Sequence, residues 1–202
     1  MTGLAMTPHA PTVATKQRIL YAGAELFGRQ GYAGTGLKQV SAAAQAPFGS
    51  LYHHFPGGKE DLGDDVIRQA GAFFLALVES VFVAEPDPVA GIRAVFDGAA
   101  QTVRSTGYQD ACPIAAIALE VASTNERLRV ATADVFASWI AGATTWFAAA
   151  GLPHARSREL AITTIAALEG GFLLARATRD TTALELTGNL IANTVAQELA
   201  GR

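Results

Sequence analysis

The chain has 202 residues, half of them hydrophobic and 16% charged, with a net charge of −3. That composition excludes global disorder and supports a sizeable core, and the single cysteine, Cys112, excludes an internal disulfide or a thiolate zinc cluster. Net acidity argues against a generic nucleic-acid binder unless basic charge gathers at one end. It does so mildly: residues 1–62 hold five Lys/Arg against three acids (+2), and the rest hold ten Arg against fifteen acids (−5).

Met1–Pro11 has no basic start and no apolar core, so it is not expected to be a secretory signal. Residues 1–12 are expected to form a short flexible arm on a cytoplasmic protein. Thr15-Lys16-Gln17-Arg18 begins the first predicted helix, with Thr15 as its cap. Ile19, Gly23, Leu26 and Phe27, with Leu20 and Ala24 beside them, make one apolar stripe, and Gly31 ends it. Lys16 and Arg18 fit either phosphate contact or a solvated helix face. Leu37, Val40, Ser41 and Ala44 recur at helical spacing behind the start signal Thr35-Gly36. Gln45-Ala46-Pro47 interrupts that helix, and Pro47 suits the start of the next because it lacks an N–H and has a fixed φ. The new helix runs through His53, then Pro56-Gly57-Gly58 breaks the chain and Lys59 opens a long amphipathic run.

Helix, short turn and second short helix is the spacing of a helix-turn-helix, whose second helix enters the major groove. Leu51 fits the inward anchor; Ser50, Tyr52 and His53 fit the outward face. On spacing alone, an ordinary helical hairpin fits as well. The stretch Gly31-Tyr32 … Thr35 … Leu51-Tyr52-His53-His54-Phe55-Pro56 … Lys59-Glu60-Asp61-Leu62 resembles the DNA-binding domain of the TetR family of transcriptional regulators. The match covers Thr15 to Leu62. Gly57-Gly58 before Lys59, and the later Cys112-Pro113-Ile114-Ala115, resemble the LmrA/YxaF-like branch.

The resemblance implies an all-α chain with an N-terminal three-helix DNA-binding domain at 13–62. It also implies a larger helical effector-binding and dimerisation domain at 63–202, and a homodimer. Tyr52 and His53 resemble positions that reach DNA phosphates, and Ser50 a position that touches base or phosphate. Pro47, Phe48 and Gly49 occupy base-facing positions. Thr35, Gly36 and Lys59 sit at helix starts, where free N–H groups suit an anion, and Lys38 lies just inside. The chain departs from the family pattern at Gln45, where a turn glycine is common, and at Pro47-Phe48, where residues are usually more polar. Phe48 can pack on a thymine methyl or fold onto the core. His54 is expected to pack between the second helix of the motif and the long helix.

That long helix should run from Lys59 to about Val83, with Leu62, Val66, Gln69/Ala70, Phe73 and Leu77 on one face, and Glu85-Pro86-Asp87-Pro88 should stop it. Helices follow at Val89–Ser105, at Cys112–Ala122 after a loop over Tyr108–Ala111, and at Glu126–Ala150, capped by Ser123-Thr124-Asn125. Two more should run over His154–Thr178 and Thr181–Leu199. About nine helices and no strand are expected. No apolar run reaches the roughly 18 uncharged residues of a membrane span, and no membrane partner is expected. The last two helices carry more apolar surface than one partner face needs. Ile165, Phe172, Leu186 and Leu190 are the candidate dimer contacts, and small residues at Ala166, Ala167, Gly170 and Gly171 permit close approach. Burial within one chain is the alternative.

No phosphate loop, nucleophile elbow or metal spacing is present, so no catalytic residue, cofactor or metal is expected. Cys112 could be activated at a helix start, but it lacks a basic partner and reads better as a small buried residue. A large apolar pocket is the default ligand site. Its candidate liners are Phe73, Leu77, Arg93, Cys112, Glu120, Trp139, Trp146 and Glu169. The expected function is a ligand-responsive, DNA-binding transcriptional repressor. Its expected partners are double-stranded operator DNA, a small apolar or aromatic effector, and itself as a homodimer. The alternative is a helical small-molecule-binding enzyme or carrier with the same fold.

Overall fold

The computed structural model describes residues 14–109 and 112–201. The expected arm at 1–12, the first residue of the domain expected at 13–62, and part of the loop over Tyr108–Ala111 lie outside the described residues. Among those described, every regular element is helical: α1 Thr15–Gln30, α2 Leu37–Ala43, α3 Phe48–His54, α4 Lys59–Ala84, α5 Pro88–Ser105, α6 Pro113–Val121, α7 Glu126–Ala149, α8 His154–Thr178 and α9 Thr182–Ala200.

Local chemistry sets most of the ends. Gly31 closes α1 at φ +82, its N–H donating to the Phe27 carbonyl at 3.0 Å. Asp87 caps α5 by accepting from the Val89 and Ala90 N–H groups, with Pro88 in the first helical position. Asn125 caps α7 by accepting from the Leu128 N–H at 3.0 Å. The start of α1 differs from expectation. Thr15 is the first helical residue, Ala14 occupies the cap, and no side chain caps it.

The α2–α3 turn is stapled. Ser41 Oγ donates to the Ala46 carbonyl at 2.6 Å, and the Ala46 N–H donates back to the Ser41 carbonyl at 3.0 Å. Gln45 takes the left-handed φ of +49, the conformation that a glycine would hold there without steric cost. Arg18 ties α1 to the same turn, donating to the Ala44 carbonyl at 3.1 Å and the Gln45 carbonyl at 3.4 Å.

Leu51 and Phe55 anchor α3 against Ile19, Phe27, Val40 and Leu62. This packing does not stop at residue 62. The same cluster continues along α4 through Val66 and Ile67 and into Ile114, Ile117, Leu128 and Val135 of α6 and α7. A second cluster joins α5, the far half of α7, α8 and α9 around Phe96, Phe147, Phe172, Leu184 and Val195. The first core thus spans the expected domain boundary, and α4 is its spine. Leu51 is fully buried, so Leu51→Ala should cost about 2–5 kcal/mol, read as a lower denaturation midpoint at unchanged slope.

Two helices, α4 and α8, are long and apolar enough to cross a membrane by length and composition. Charged residues interrupt both, Glu79 in α4 and Glu169 and Arg176 in α8. α8 packs extensively on α7 and α9, and α4 on α7.

Candidate nucleic-acid interface and effector cavity

The outward face of α3 is open. Phe48 is 40% exposed and Tyr52 48% exposed, with their rings edge to face at 5.4 Å. Phe48 therefore does not fold into the core, which settles that alternative. A Cβ built on Gly49 meets nothing within 4 Å, so the start of α3 can approach a partner closely. Pro47 and His53 are exposed and Ser50 is half-buried. His54 is half-buried, its ring 5.0 Å from His53 and 6.4 Å from Phe55.

The helix-start residues divide. Lys38 and Gly36 are exposed, although the Gly36 N–H already donates to Gln39 Oε1 at 2.7 Å. Thr35 is 1% exposed; its hydroxyl donates to the Gly31 carbonyl at 2.7 Å and accepts from Gln30 Nε2 at 3.2 Å. Its side chain shapes the α1–α2 turn and cannot reach a phosphate. The Lys59 ammonium folds back, 3.3 Å from the Ala33 carbonyl and 4.5 Å from the Tyr32 ring centre. Desolvation pulls its pKa below the ordinary lysine value, and the charge of Glu120 partly restores it. Lys16 pairs with Asp65 at 2.8 Å, so neither Lys16 nor Arg18 is held outward.

Glu120 is not a pocket residue. Its carboxylate accepts from the Tyr32 N–H at 3.0 Å and the Ala33 N–H at 2.6 Å, gripping the α1–α2 turn from the last turn of α6. Three further ties join the motif to the body. Asn125 Nδ2 donates to Glu60 at 2.8 Å, Arg127 pairs with Asp61 and Asp64, and Arg176 reaches the Gly28 and Arg29 carbonyls. Arg127 and the Gly57 N–H hold the Asp61 carboxyl below its usual range.

On the far side of this clasp lies a cavity of about 410 Å³ between α4, α5, α7 and α8. Its walls include Phe74, Val78, Phe82, Phe96, Ala143, Phe147 and Leu168, together with the expected Trp139, Trp146 and Glu169. Trp146 stacks on Phe82 with ring centres 3.6 Å apart. Glu169 is largely buried, and burial raises its pKa while a hydrogen bond from Cys112 lowers it. Cys112, buried at the cap of α6, has its thiol pKa pushed well up by burial and by the Glu169 charge. It is held protonated and next to the wall, which favours the packing role over a reactive thiolate.

Five expected liners fall elsewhere: Cys112 behind the wall at the cap of α6, Glu120 on the clasp, Arg93 on the surface donating to Asn193 Oδ1 at 2.9 Å, and Phe73 (67% exposed) and Leu77 on the outside of α4. The inward stripe of α4 steps by four, through Leu62, Val66, Ala70, Phe74, Val78 and Phe82, and drifts away from Phe73 and Leu77. Two expected dimer contacts also turn inward. Ile165 and Phe172 line the cavity, whereas Leu186 (64% exposed) and Leu190 (67%) stay open. Gly171 is taken up by Leu184 of α9 in the same chain, and Gly170 faces open space. Of the cavity residues not named from sequence, Val78 and Phe82 fall on this step of four, which is the signal that could have found them, whereas Glu79 lies one residue off it.

Two family descriptions match the chain: "Bacterial regulatory proteins, tetR family" over residues 19–66, and "Transcriptional regulator LmrA/YxaF-like, C-terminal domain" over residues 88–190. The HTH-type transcriptional regulator LmrA of Bacillus subtilis is 31% identical, over 84% of this chain and 90% of that protein. An uncharacterized HTH-type transcriptional regulator of Mycobacterium tuberculosis is 32% identical, over 93% of this chain and 97% of its own length. A crystal structure of a TetR transcriptional regulator from Legionella pneumophila superposes with a TM-score of 0.81 at 26% identity, covering 92% of this chain and 99% of that one.

Proposed function

The chain belongs to the TetR family of transcriptional regulators, in its LmrA/YxaF-like branch, and from that premise we propose that it is a homodimeric repressor, working in the cytoplasm without enzymatic activity, which a small apolar or aromatic molecule releases from its operator. The observation that carries this reading is mechanical. Two helices reach from the cavity to the DNA-facing motif. α4 lines the cavity with Phe74, Val78 and Phe82 and buries Leu62 and Val66 in the motif's core. α6 starts at Cys112, beside the cavity carboxyl Glu169, and about 12 Å further on presents Glu120 to the α1–α2 turn.

In this reading α3 enters the major groove. Phe48 and Gly49 face the bases, and Tyr52, His53, Ser50 and Lys38 face the phosphates. Two copies related by a two-fold axis offer their α3 helices about 34–36 Å apart, one helical turn of DNA. A ligand that spreads α4 from α7 alters that spacing in both subunits at once. It acts only through its different affinity for the two arrangements, a coupling of about 1–3 kcal/mol in typical cases.

Retention of DNA flanking its own gene, measured over a series of salt concentrations, tests the interface. Tyr52→Phe should lose about 1.5–3 kcal/mol of affinity on every sequence, the worth of a hydrogen bond to a charged group. Lys38→Ala should reduce the slope of log affinity against log salt by about 0.9. Wild-type affinity and slope in both proteins would place the interface elsewhere.

A further inference from the structure

The cavity has a one-sided electrostatic character. Among the described residues its only ionisable liners are two acids, Glu79 and Glu169, and no Lys, Arg or His lines it. Two of its hydrogen-bond donors are committed elsewhere: the Trp139 indole N–H donates to the Gly71 carbonyl at 2.9 Å and the Thr164 hydroxyl to the Leu160 carbonyl at 2.8 Å, which leaves the Trp146 indole N–H as the neutral donor in the wall. The rest of the wall is aromatic and aliphatic, with Phe82 and Trp146 stacked one on the other. Glu169 is half-buried, while Glu79 is exposed.

From this we infer that the cavity takes an aromatic organic cation, its ring among the aromatic side chains of the wall and its positive charge against the Glu169 carboxylate, with the exposed Glu79 also favouring cations over anions. The inference rests on the ligand-release reading and names the chemical class of that ligand. An anion would lie near two carboxylates with no cationic side chain and only the neutral Trp146 indole N–H to meet it, at a large desolvation cost. A neutral hydrocarbon fills the space but leaves the carboxyl without a partner charge. A cation satisfies both, since aromatic faces and a carboxylate attract the same charge. The volume of about 410 Å³ lies in the range of small-molecule sites.

Three probes of one shape separate these cases: 2-naphthylmethyl-trimethylammonium, its uncharged isostere 2-neopentylnaphthalene, and 2-naphthylmethanesulfonate. Calorimetric titration of the full-length protein without DNA should give a Kd at least about tenfold lower for the cation than for the isostere, with the sulfonate weakest. Glu169→Gln keeps the shape and should remove most of that advantage while leaving the isostere's Kd within about twofold. Glu79→Gln, at the exposed carboxylate, should act in the same direction by less, and supplies a second variant if the first misfolds. Equal or tighter binding of the isostere or sulfonate, no binding of any probe, or full cation affinity in both variants would overturn the inference. Operator retention with each probe is read separately. A cation that binds through Glu169 but leaves the operator bound upholds the ligand class and removes the release reading.

Discussion

Leu190→Arg combined with Leu186→Arg should sediment as a monomer and lose operator binding while keeping the wild-type helical signal. Both leucines lie on the outward face of α9 and are open in the single chain, so the substitution leaves either core intact. Beside them α8 exposes Leu173 and Leu174, and a Cβ at Gly170 would meet nothing. Both helices of the packed α8–α9 pair thus carry exposed leucines, which a two-fold four-helix contact needs. A guanidinium placed there is buried without a partner on association, which costs about 3–5 kcal/mol, or more than two decades in the dimerisation constant. A monomer presents one α3 to one half-site, so affinity falls with it. Phe172→Arg would be a poor probe, because Phe172 faces the cavity and its loss would perturb folding and ligand binding together. If the double variant sediments as wild type does, the contact lies on another exposed apolar face, such as Phe73, Leu77 and Val83 of α4 or Leu119 of α6.

Removal of the clasp should disconnect the two ends of the molecule. In Glu120→Ala the N–H groups of Tyr32 and Ala33 lose charge-assisted bonds of 3.0 and 2.6 Å, worth about 1.5–3 kcal/mol each at most. The surrounding ion pairs are exposed and compensate little. Lys59 also loses the negative charge that offsets its desolvation. The α1–α2 turn is then held mainly by α4, and α6 no longer reports the state of the cavity to it. The fold-change in operator affinity on saturating the cavity, of the order of 5–150 in a typical coupled system, should shrink toward one. Hydrogen exchange at Tyr32 and Ala33 should quicken. Glu120→Gln retains one acceptor oxygen and should fall between. A ligand response of wild-type size in Glu120→Ala would show that α4 alone carries the coupling.

The ends of most helices could be read from the chain itself. Gly31, Pro47, Pro56-Gly57-Gly58, Pro86-Asp87-Pro88, Asn125 and Gly151-Leu152-Pro153 all stop or start helices where they stand. Caps, proline rings and left-handed glycines act within three or four residues, so the information is local. The same holds for α3, where Leu51 points inward and Tyr52 and His53 outward because a short helix has one anchored side. Thr15 shows the limit of such signals: the preceding residue took the cap position, and boundaries of this kind shift by one residue easily.

What lies between helices was decided by packing. The inward stripe of α4 depends on the angle at which it crosses α7, and ridges four residues apart follow that crossing; a stripe read with steps of three and four therefore reached Phe73 and Leu77 instead of Phe74 and Val78. Ile165 and Phe172 were legible as apolar but not as cavity wall, because α8 is apolar on two sides and the pattern names neither neighbour. Glu120 meets Tyr32 from 88 positions away in the chain, and Cys112 lies beside Glu169 of α8, with α6 and α7 between them in the chain. Residue type by itself thus determined the nine helices among the described residues, a reading motif at one end and an apolar interior. Only the tertiary structure decided which carboxylate grips the motif and which lies in the cavity, because a charge's role depends on the partners that folding brings within about 3 Å.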